Sequence, residues 1–301
     1  MHYIPSGLHS FPFSMKKYFS LLIITLWCGI ASTAQPEDTQ AQDSIQKTTF
    51  LERLKYDGAT MGGGFFQTFM RPMEWQKKDF IILGGTLAGT GILYATDQQT
   101  SDYFRDQQQD VPMGVRDFGW YFGNPQVNYG MSGSIYAVGL IFDNEWARET
   151  GVLMITSASV AGLIQQATKS LTGRARPQAG LGSNHFKPFG GTAAYRSFPS
   201  GHTVLAVTSM YALSKQFKSP WVKGGLYAIG MIPPVSRLWN GAHWLSDVFL
   251  STVLSVAVVE SVYAYLKKGE KYNVKGPERP EKKISWNLQL GPGRVGVVGV
   301  F

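Results

Sequence analysis

Hydrophobic and polar positions follow three different patterns along the chain. From Tyr18 to Ile30 the residues are almost continuously apolar, preceded by Met15-Lys16-Lys17 and followed by the small residues Ala31-Ser32-Thr33-Ala34. That basic, apolar, small-residue order is the order of a secretory signal peptide over residues 1–34, with Met15 as an alternative start. Residues 35–49 are rich in Gln, Asp and Thr, lack periodicity, and are expected to form a flexible linker. Over 50–267 uncharged stretches alternate with Gly, Pro and charged residues, which predicts a helical domain with helices at about 80–96, 128–142, 147–171, 201–217, 222–236 and 242–267. A Gly-rich patch, Gly58 to Gly64, precedes them. The tail, 268–301, opens with a charged, Pro-containing linker and then changes period. Ile284, Trp286, Leu288 and Leu290 alternate with polar residues, Gly291-Pro292-Gly293 supplies a turn, and Val295 to Phe301 returns. A C-terminal β-hairpin is expected there, although two strands cannot close a barrel.

Composition narrows the classes. With 301 residues, 44% of them apolar and 13% aromatic, the chain can bury a substantial core. Its net charge of +8 is scattered rather than gathered into basic runs interleaved with aromatics, which argues against a nucleic-acid partner and for basic groups at a phosphate site or against anionic lipid. The single cysteine, Cys28, lies inside the signal-like segment, so disulfides and thiolate chemistry are excluded from the mature domain.

Three clusters carry candidate chemistry. Lys169 and Arg176-Pro177 fall at a predicted helix exit, where Gly173 releases the backbone and Pro177 keeps Arg176 extended. A compact ammonium and a planar guanidinium then converge, able to grip phosphate oxygens. Alone, such a pair is equally a solvated basic helix end. Pro199-Ser200-Gly201-His202 opens an apolar helix: Ser200 is a natural N-cap, and Gly201 lets backbone amides approach an anion at the positive helix end. His202 is placed to protonate a leaving oxygen. By itself the tetrapeptide is also an ordinary cap. Ser236-Arg237, His243 and Asp247 form the third cluster, with His243 expected in the first turn of the last helix and Asp247 one turn on. The carboxylate can hold one ring nitrogen, leaving the other as a nucleophile with a counter-ion for the charge that forms. A surface pair or a satisfied core histidine is the bland alternative. The bland readings fail jointly, because about eleven specified positions occur in order, each at roughly one chance in twenty.

Taken together, Lys169 to Pro177, Pro199 to His202 and Ser236 to Asp247 resemble all three motifs of the superfamily of type 2 phosphatidic acid phosphatases, bacterial class A acid phosphatases and vanadium haloperoxidases. The likeness covers about 150–266 and weakens upstream towards about 80. It implies an all-α fold, a helical bundle of the acid phosphatase/vanadium haloperoxidase type. It also implies phosphate held by Lys169, Arg176, Ser200, Gly201 and Arg237, in-line attack by His243 oriented by Asp247, and protonation by His202. Three cations with helix-end amides can stabilise the phosphoryl oxygens without a metal. No metal-ligand spacing is visible and no cofactor is expected. The implied activity is a metal-independent phosphomonoesterase working through a phosphohistidine. The alternatives are a vanadium-dependent haloperoxidase, since vanadate mimics the phosphoryl transition state, and a non-catalytic phosphate or lipid binder of the envelope.

Hydropathy bears on location. The uncharged runs have 17 residues at 80–96, 18 at 151–168 and 12 at 203–214, where a bilayer wants about 20, and the mean hydropathy is −0.08. Three spans between a signal segment and Lys169 would put the phosphate site in the cytoplasm. A periplasmic, membrane-associated domain is therefore expected, ahead of an inner-membrane protein. Lys215, Lys218, Lys223, Lys267, Lys268 and Lys271 are expected on the face away from the motifs, as an anchoring surface. The substrate class expected is a lipid phosphate or diphosphate, by analogy rather than from any residue that reads a lipid.

Overall fold

In a computed structural model of the chain, the structure describes residues 49–272 and the strands 285–291 and 294–300. The segment 1–34 expected to be a signal peptide, the expected linker up to residue 48, most of the 268–283 stretch, and Pro292 and Gly293 lie outside the described residues. Among those described, nine α-helices form one helical bundle: α1 (Phe50–Met70), α2 (Lys77–Ala95), α3 (Asp97–Asp106), α4 (Met113–Phe122), α5 (Pro125–Ile141), α6 (Glu145–Thr172), α7 (Gly201–Ser214), α8 (Pro220–Trp239) and α9 (Leu245–Lys267). The expected hairpin is present: β1 (Ser285–Gly291) pairs antiparallel with β2 (Arg294–Val300), Ser285 opposite Val300 and Gly291 opposite Arg294.

The bundle is built around α6. Asn144 caps its start by accepting the Ala147 N–H at 2.9 Å, and Gly173 ends it in the left-handed conformation at φ +58°. Val152, Leu153, Met154 and Val160 are wholly buried, as expected of a helix covered on several sides, and α1, α5, α7 and α9 pack around it. Serines stitch α7 to α9: Ser251 Oγ accepts the Ser200 N–H at 2.8 Å, and Ser255 Oγ donates to the Val204 carbonyl at 3.2 Å. Asn128 joins the α4–α5 turn to α7, donating to the Phe122 carbonyl at 2.5 Å and accepting from Ser209 Oγ at 2.6 Å.

Chain direction puts one end of the bundle to use. The start of α7, the end of α8 and the start of α9 carry the motif residues. Lys215, Lys218, Lys223, Lys267, Lys268 and Lys271 fall at or beyond the opposite ends of the same helices. Two of these lysines are paired there, Lys267 with Glu149 at 2.6 Å and Lys215 with Glu260. By length and composition α9 could cross a membrane, and so could α2 and α3 taken as one span broken by 63°; α9 is also a core helix, 44% buried over its most apolar window. No residue of α2 is buried, and its Phe80, Ile81, Ile82, Leu87 and Ile92 are each more than half exposed.

Candidate active site

Motif one takes the form expected of it. Lys169 lies in the last turn of α6, the chain leaves through Gly173, and Arg176 is extended at φ −80°, ψ 152° ahead of Pro177. A Cβ at Gly173 would lie 1.8 Å from the Lys187 carbonyl oxygen, so both the backbone angle and packing demand glycine. At motif two, Ser200 caps α7, its Oγ accepting from the Thr203 Oγ at 3.0 Å and from the Thr203 N–H at 3.5 Å. A Cβ at Gly201 would meet only the Gln165 amide, at 3.5 Å, so protein packing leaves the space above that residue open. Arg237 ends α8 with its Nη2 3.2 Å from Ser236 Oγ and its guanidinium over the Trp120 ring, 4.6 Å from the centroid.

The third motif differs from expectation in one respect. His243 is not in the first turn of α9; it precedes the helix, two residues before Leu245. Gly241 turns the chain at φ +58°, and Asp247 Oδ2 accepts the Trp244 N–H at 2.9 Å, which starts the helix after the histidine. Asp247 therefore does not hold the ring directly: its Oδ2 is 3.8 Å from His243 Nδ1, beyond hydrogen-bonding range. The Ser197 carbonyl takes that nitrogen instead, at 2.6 Å. A carbonyl can only accept, so Nδ1 carries the proton and Nε2, on the far side of the ring, is bare. Asp247 acts on this arrangement through Ser197, whose Oγ donates to Oδ2 at 2.5 Å.

Electrostatics places the three motifs together. Burial, then the nearby Arg176 and Arg196, pull the Lys169 ammonium down to about 7. Burial and Arg176 bring Arg237 down to about 10, and burial with Arg196 lowers Arg176. His202 is driven to about 2 by burial and by Arg237, His243, Lys169 and Arg176 in turn. His243 falls to about 4, chiefly through burial, with Asp247 opposing and Lys169 and Arg176 adding to the fall. Among the described residues no carboxylate makes an ion pair with Lys169, Arg176 or Arg237. Arg176 Nε and His202 Nε2 are buried with no hydrogen-bond partner. Cations, a bare imidazole nitrogen and unpartnered polar atoms within electrostatic range of one another are what an oxyanion would satisfy. No group of three or more His, Cys, Asp or Glu side chains able to hold a metal ion occurs among the described residues.

Several residues at the site escaped the sequence reading. Trp120 of α4 stands between Arg237 and His202, its ring 5.2 Å from the imidazole. Gly123 sits under His202, and Gln165 Nε2 donates to the Pro199 carbonyl at 3.2 Å. Ser197 and Arg174 flank the motif residues without belonging to them. His185 is in a loop and exposed; its Nε2 is 3.4 Å from Tyr195 Oη.

Parts of the chain are similar to known proteins. Residues 150–271 match the model of the PAP2 superfamily. The lipid A 1-phosphatase of Porphyromonas gingivalis is 30% identical over 122 residues, covering 39% of this chain and 24% of that protein. The lipid A 1-phosphatase of Rhizobium etli is 34% identical over 100 residues, covering 33% of this chain and 42% of that protein. The chain thus spans less than half the length of these relatives. The crystal structure of Aquifex aeolicus LpxE is 20% identical with a TM-score of 0.40, covering 55% of this chain and 93% of that one. All three motifs lie at one end of the bundle and inside the segment, residues 150–271, that is similar to the PAP2 superfamily.

Proposed function

We propose that this chain is a phosphomonoesterase that works without a metal through a phosphohistidine on His243, acting on a lipid phosphate or diphosphate in the cell envelope. The observation that carries the reading is the tautomer of His243: the Ser197 carbonyl at 2.6 Å fixes the proton on Nδ1 and leaves Nε2 as the nucleophile, near Lys169 and Arg176, which make no ion pair among the described residues. Lys169, Arg176 and Arg237 take the phosphoryl oxygens, with the Ser200–Gly201 amides at the start of α7 contributing.

The bonds balance in two steps. Nε2 forms a bond to phosphorus as the ester P–O bond breaks, and His202 Nε2–H gives its proton to the leaving oxygen. Water then attacks phosphorus, the N–P bond breaks, and His202 recovers a proton from the water. His202 must be protonated for the first step, yet burial and the surrounding cations hold it neutral at about 2 when no anion is present. A phosphate dianion reverses that field, so the substrate itself brings the acid into its working state.

Lipid is supported by the names of the curated relatives, by the exposed apolar side chains of α2 and by the half-exposed Trp120 ring beside His202. The signal-like segment and the lysines at the far end of the bundle support a periplasmic, membrane-associated placement. The test is phosphate release from lipid and soluble phosphomonoesters by the full chain with chelator present. Release should survive chelation, be blocked by vanadate, and fall by at least about a thousandfold in His243→Ala, as when a covalent nucleophile is lost. Mass spectrometry of the quenched enzyme should place the phosphoryl group on His243. Release that persists in His243→Ala sinks the mechanism.

A further inference from the structure

Behind His243 runs a buried chain of ionic hydrogen bonds that begins outside the matched segment. Asp97, the first residue of α3, is wholly buried: its Oδ1 accepts the Ser246 N–H at 3.0 Å, and its Oδ2 accepts Ser246 Oγ at 2.5 Å and Arg174 Nη2 at 2.7 Å. Arg174, 1% exposed, uses Nη1 to reach Asp247 Oδ1 at 2.6 Å and Ser246 Oγ at 2.8 Å, while Nε donates to the Ser183 carbonyl at 3.1 Å. The Tyr94 ring lies 4.6 Å from its guanidinium, so neither plane nor position is free. From Asp247 the chain continues to Ser197 Oγ, and the Ser197 carbonyl ends it on His243 Nδ1. Arg174 also holds Ser197 from the other side, since its own carbonyl accepts the Ser197 N–H at 3.0 Å. Four of the five N–H donors of the Arg174 guanidinium are thus engaged within the protein.

We infer, resting on the phosphohistidine reading for the reaction itself, that Asp97 and Arg174 are positioning residues for the nucleophile: through Asp247 and Ser197 they fix the ring of His243 with its proton on Nδ1, and they set the charge it feels. Two carboxylates flank one guanidinium. Asp97 offsets Arg174, so that Asp247 keeps its negative field on the imidazole. The other charged or titratable groups that act on His243 are Lys169 of α6, Arg176 of the following loop and His202 of α7, all cationic or neutral. Asp247 is therefore the sole acid in contact range of the ring among the described residues, and its balance with Arg174 is what Asp97 controls. Burial holds the Asp97 carboxyl above its ordinary range while Ser246 and Arg174 oppose the rise, as befits an anion kept only by these partners.

The two charges make opposite predictions. Asp97→Asn leaves Arg174 less compensated and disfavours protonation of His243, so the acid limb of the kcat/KM pH profile should move to lower pH. Arg174→Gln removes a positive charge and should move the same limb to higher pH. In both, kcat on a soluble phosphomonoester should fall by about a hundredfold, the usual cost of a misplaced reacting group, with KM changed less than about threefold. In the full-length chain labelled with nitrogen-15, His243 should show one tautomer, protonated at Nδ1, in the wild type and a mixture in the variants. Should the charged variants not fold, Ser197→Ala removes one hydrogen bond and no charge, and should still produce the tautomer mixture. Folded variants with an unmoved acid limb and a single His243 tautomer would overturn the inference. So would a loss confined to the amount of folded protein. A wild type that hydrolyses no phosphomonoester would instead remove the phosphatase reading, and the tautomer measurement would still decide this one.

Discussion

Gly123 decides where His202 can stand. A Cβ there would lie 2.5 Å from His202 Cδ2 and 2.6 Å from its Cβ, while the glycine's own φ of −80° suits any residue. Packing, not backbone freedom, therefore excludes a side chain. Gly123→Ala should push the imidazole off Trp120 and away from the leaving oxygen, lowering kcat by about a hundredfold at an overpacking cost of about 1–3 kcal/mol. Steady-state kinetics beside a thermal melt separates the two effects, and wild-type kcat in the folded variant would show that His202 has room to spare. At this scale the sequence was legible where chemistry dictates residue type. Lys169, Arg176, His202, Arg237 and His243 announce themselves by kind and spacing, and the fold brings them into one electrostatic neighbourhood. Gly123, Ser197, Arg174 and Asp97 do not, because each acts by a contact that only the folded chain creates. The direct Asp247–His243 hydrogen bond expected from the i, i+4 spacing fails for a similar reason: a helix start intervenes and claims the carboxylate.

Among elements, the apolar runs located six helices to within a few residues, since burial of an uncharged stretch leaves a plain mark. The helix predicted at 222–236 extends over Pro220–Trp239, and that at 201–217 stops at Ser214. The α1 helix was hidden, because Gly58 to Gly64 reads as a Gly-rich patch. The folded chain explains two of those glycines: a Cβ at Gly63 would lie 2.0 Å from Tyr265 Oη and one at Gly64 3.1 Å from Tyr265 Cδ1, so α1 meets α9 there without side chains, while nothing lies within 4 Å of Gly58 or Gly62. The same helix carries Asp57, wholly buried, which accepts Arg148 Nη2 at 2.8 Å and Nε at 2.9 Å, Tyr272 Oη at 2.8 Å and Tyr136 Oη at 3.1 Å. One carboxylate thus ties α1 to α5, α6 and the segment after α9, far from the motifs. Asp57→Ala strands a guanidinium that is 5% exposed and should cost about 3–5 kcal/mol in denaturant unfolding. Activity per folded molecule should survive, and a loss below about 1 kcal/mol would mean that water replaces the pair.

For the molecule as a whole, the site works against the fold. His202 and His243 bind protons near pH 6.5 when unfolded and only at about 2 and about 4 when folded, so between pH 6.5 and 4 the unfolded chain holds more protons. Stability is therefore full above pH 6.5 for these two groups and declines as pH falls through that window. Lys169, lowered from 10.5 to about 7, acts in the same sense at higher pH. Asp97 and Glu149, whose carboxyls burial raises, oppose the trend at its acid end. An anion in the cradle offsets the repulsion that depresses the imidazoles, so its stabilisation should grow as pH falls. Sulfate tests this because its charge is constant across the range. Bound at a hundred times its dissociation constant it should add about 2.7 kcal/mol, and its shift of the melting temperature should be larger at pH 5.5 than at pH 8. In Arg237→Gln, which removes one cation from the cradle, that excess should shrink. Equal shifts at both pH values would mean that the cations and the two histidines do not face one anion, which is the premise of the catalytic reading.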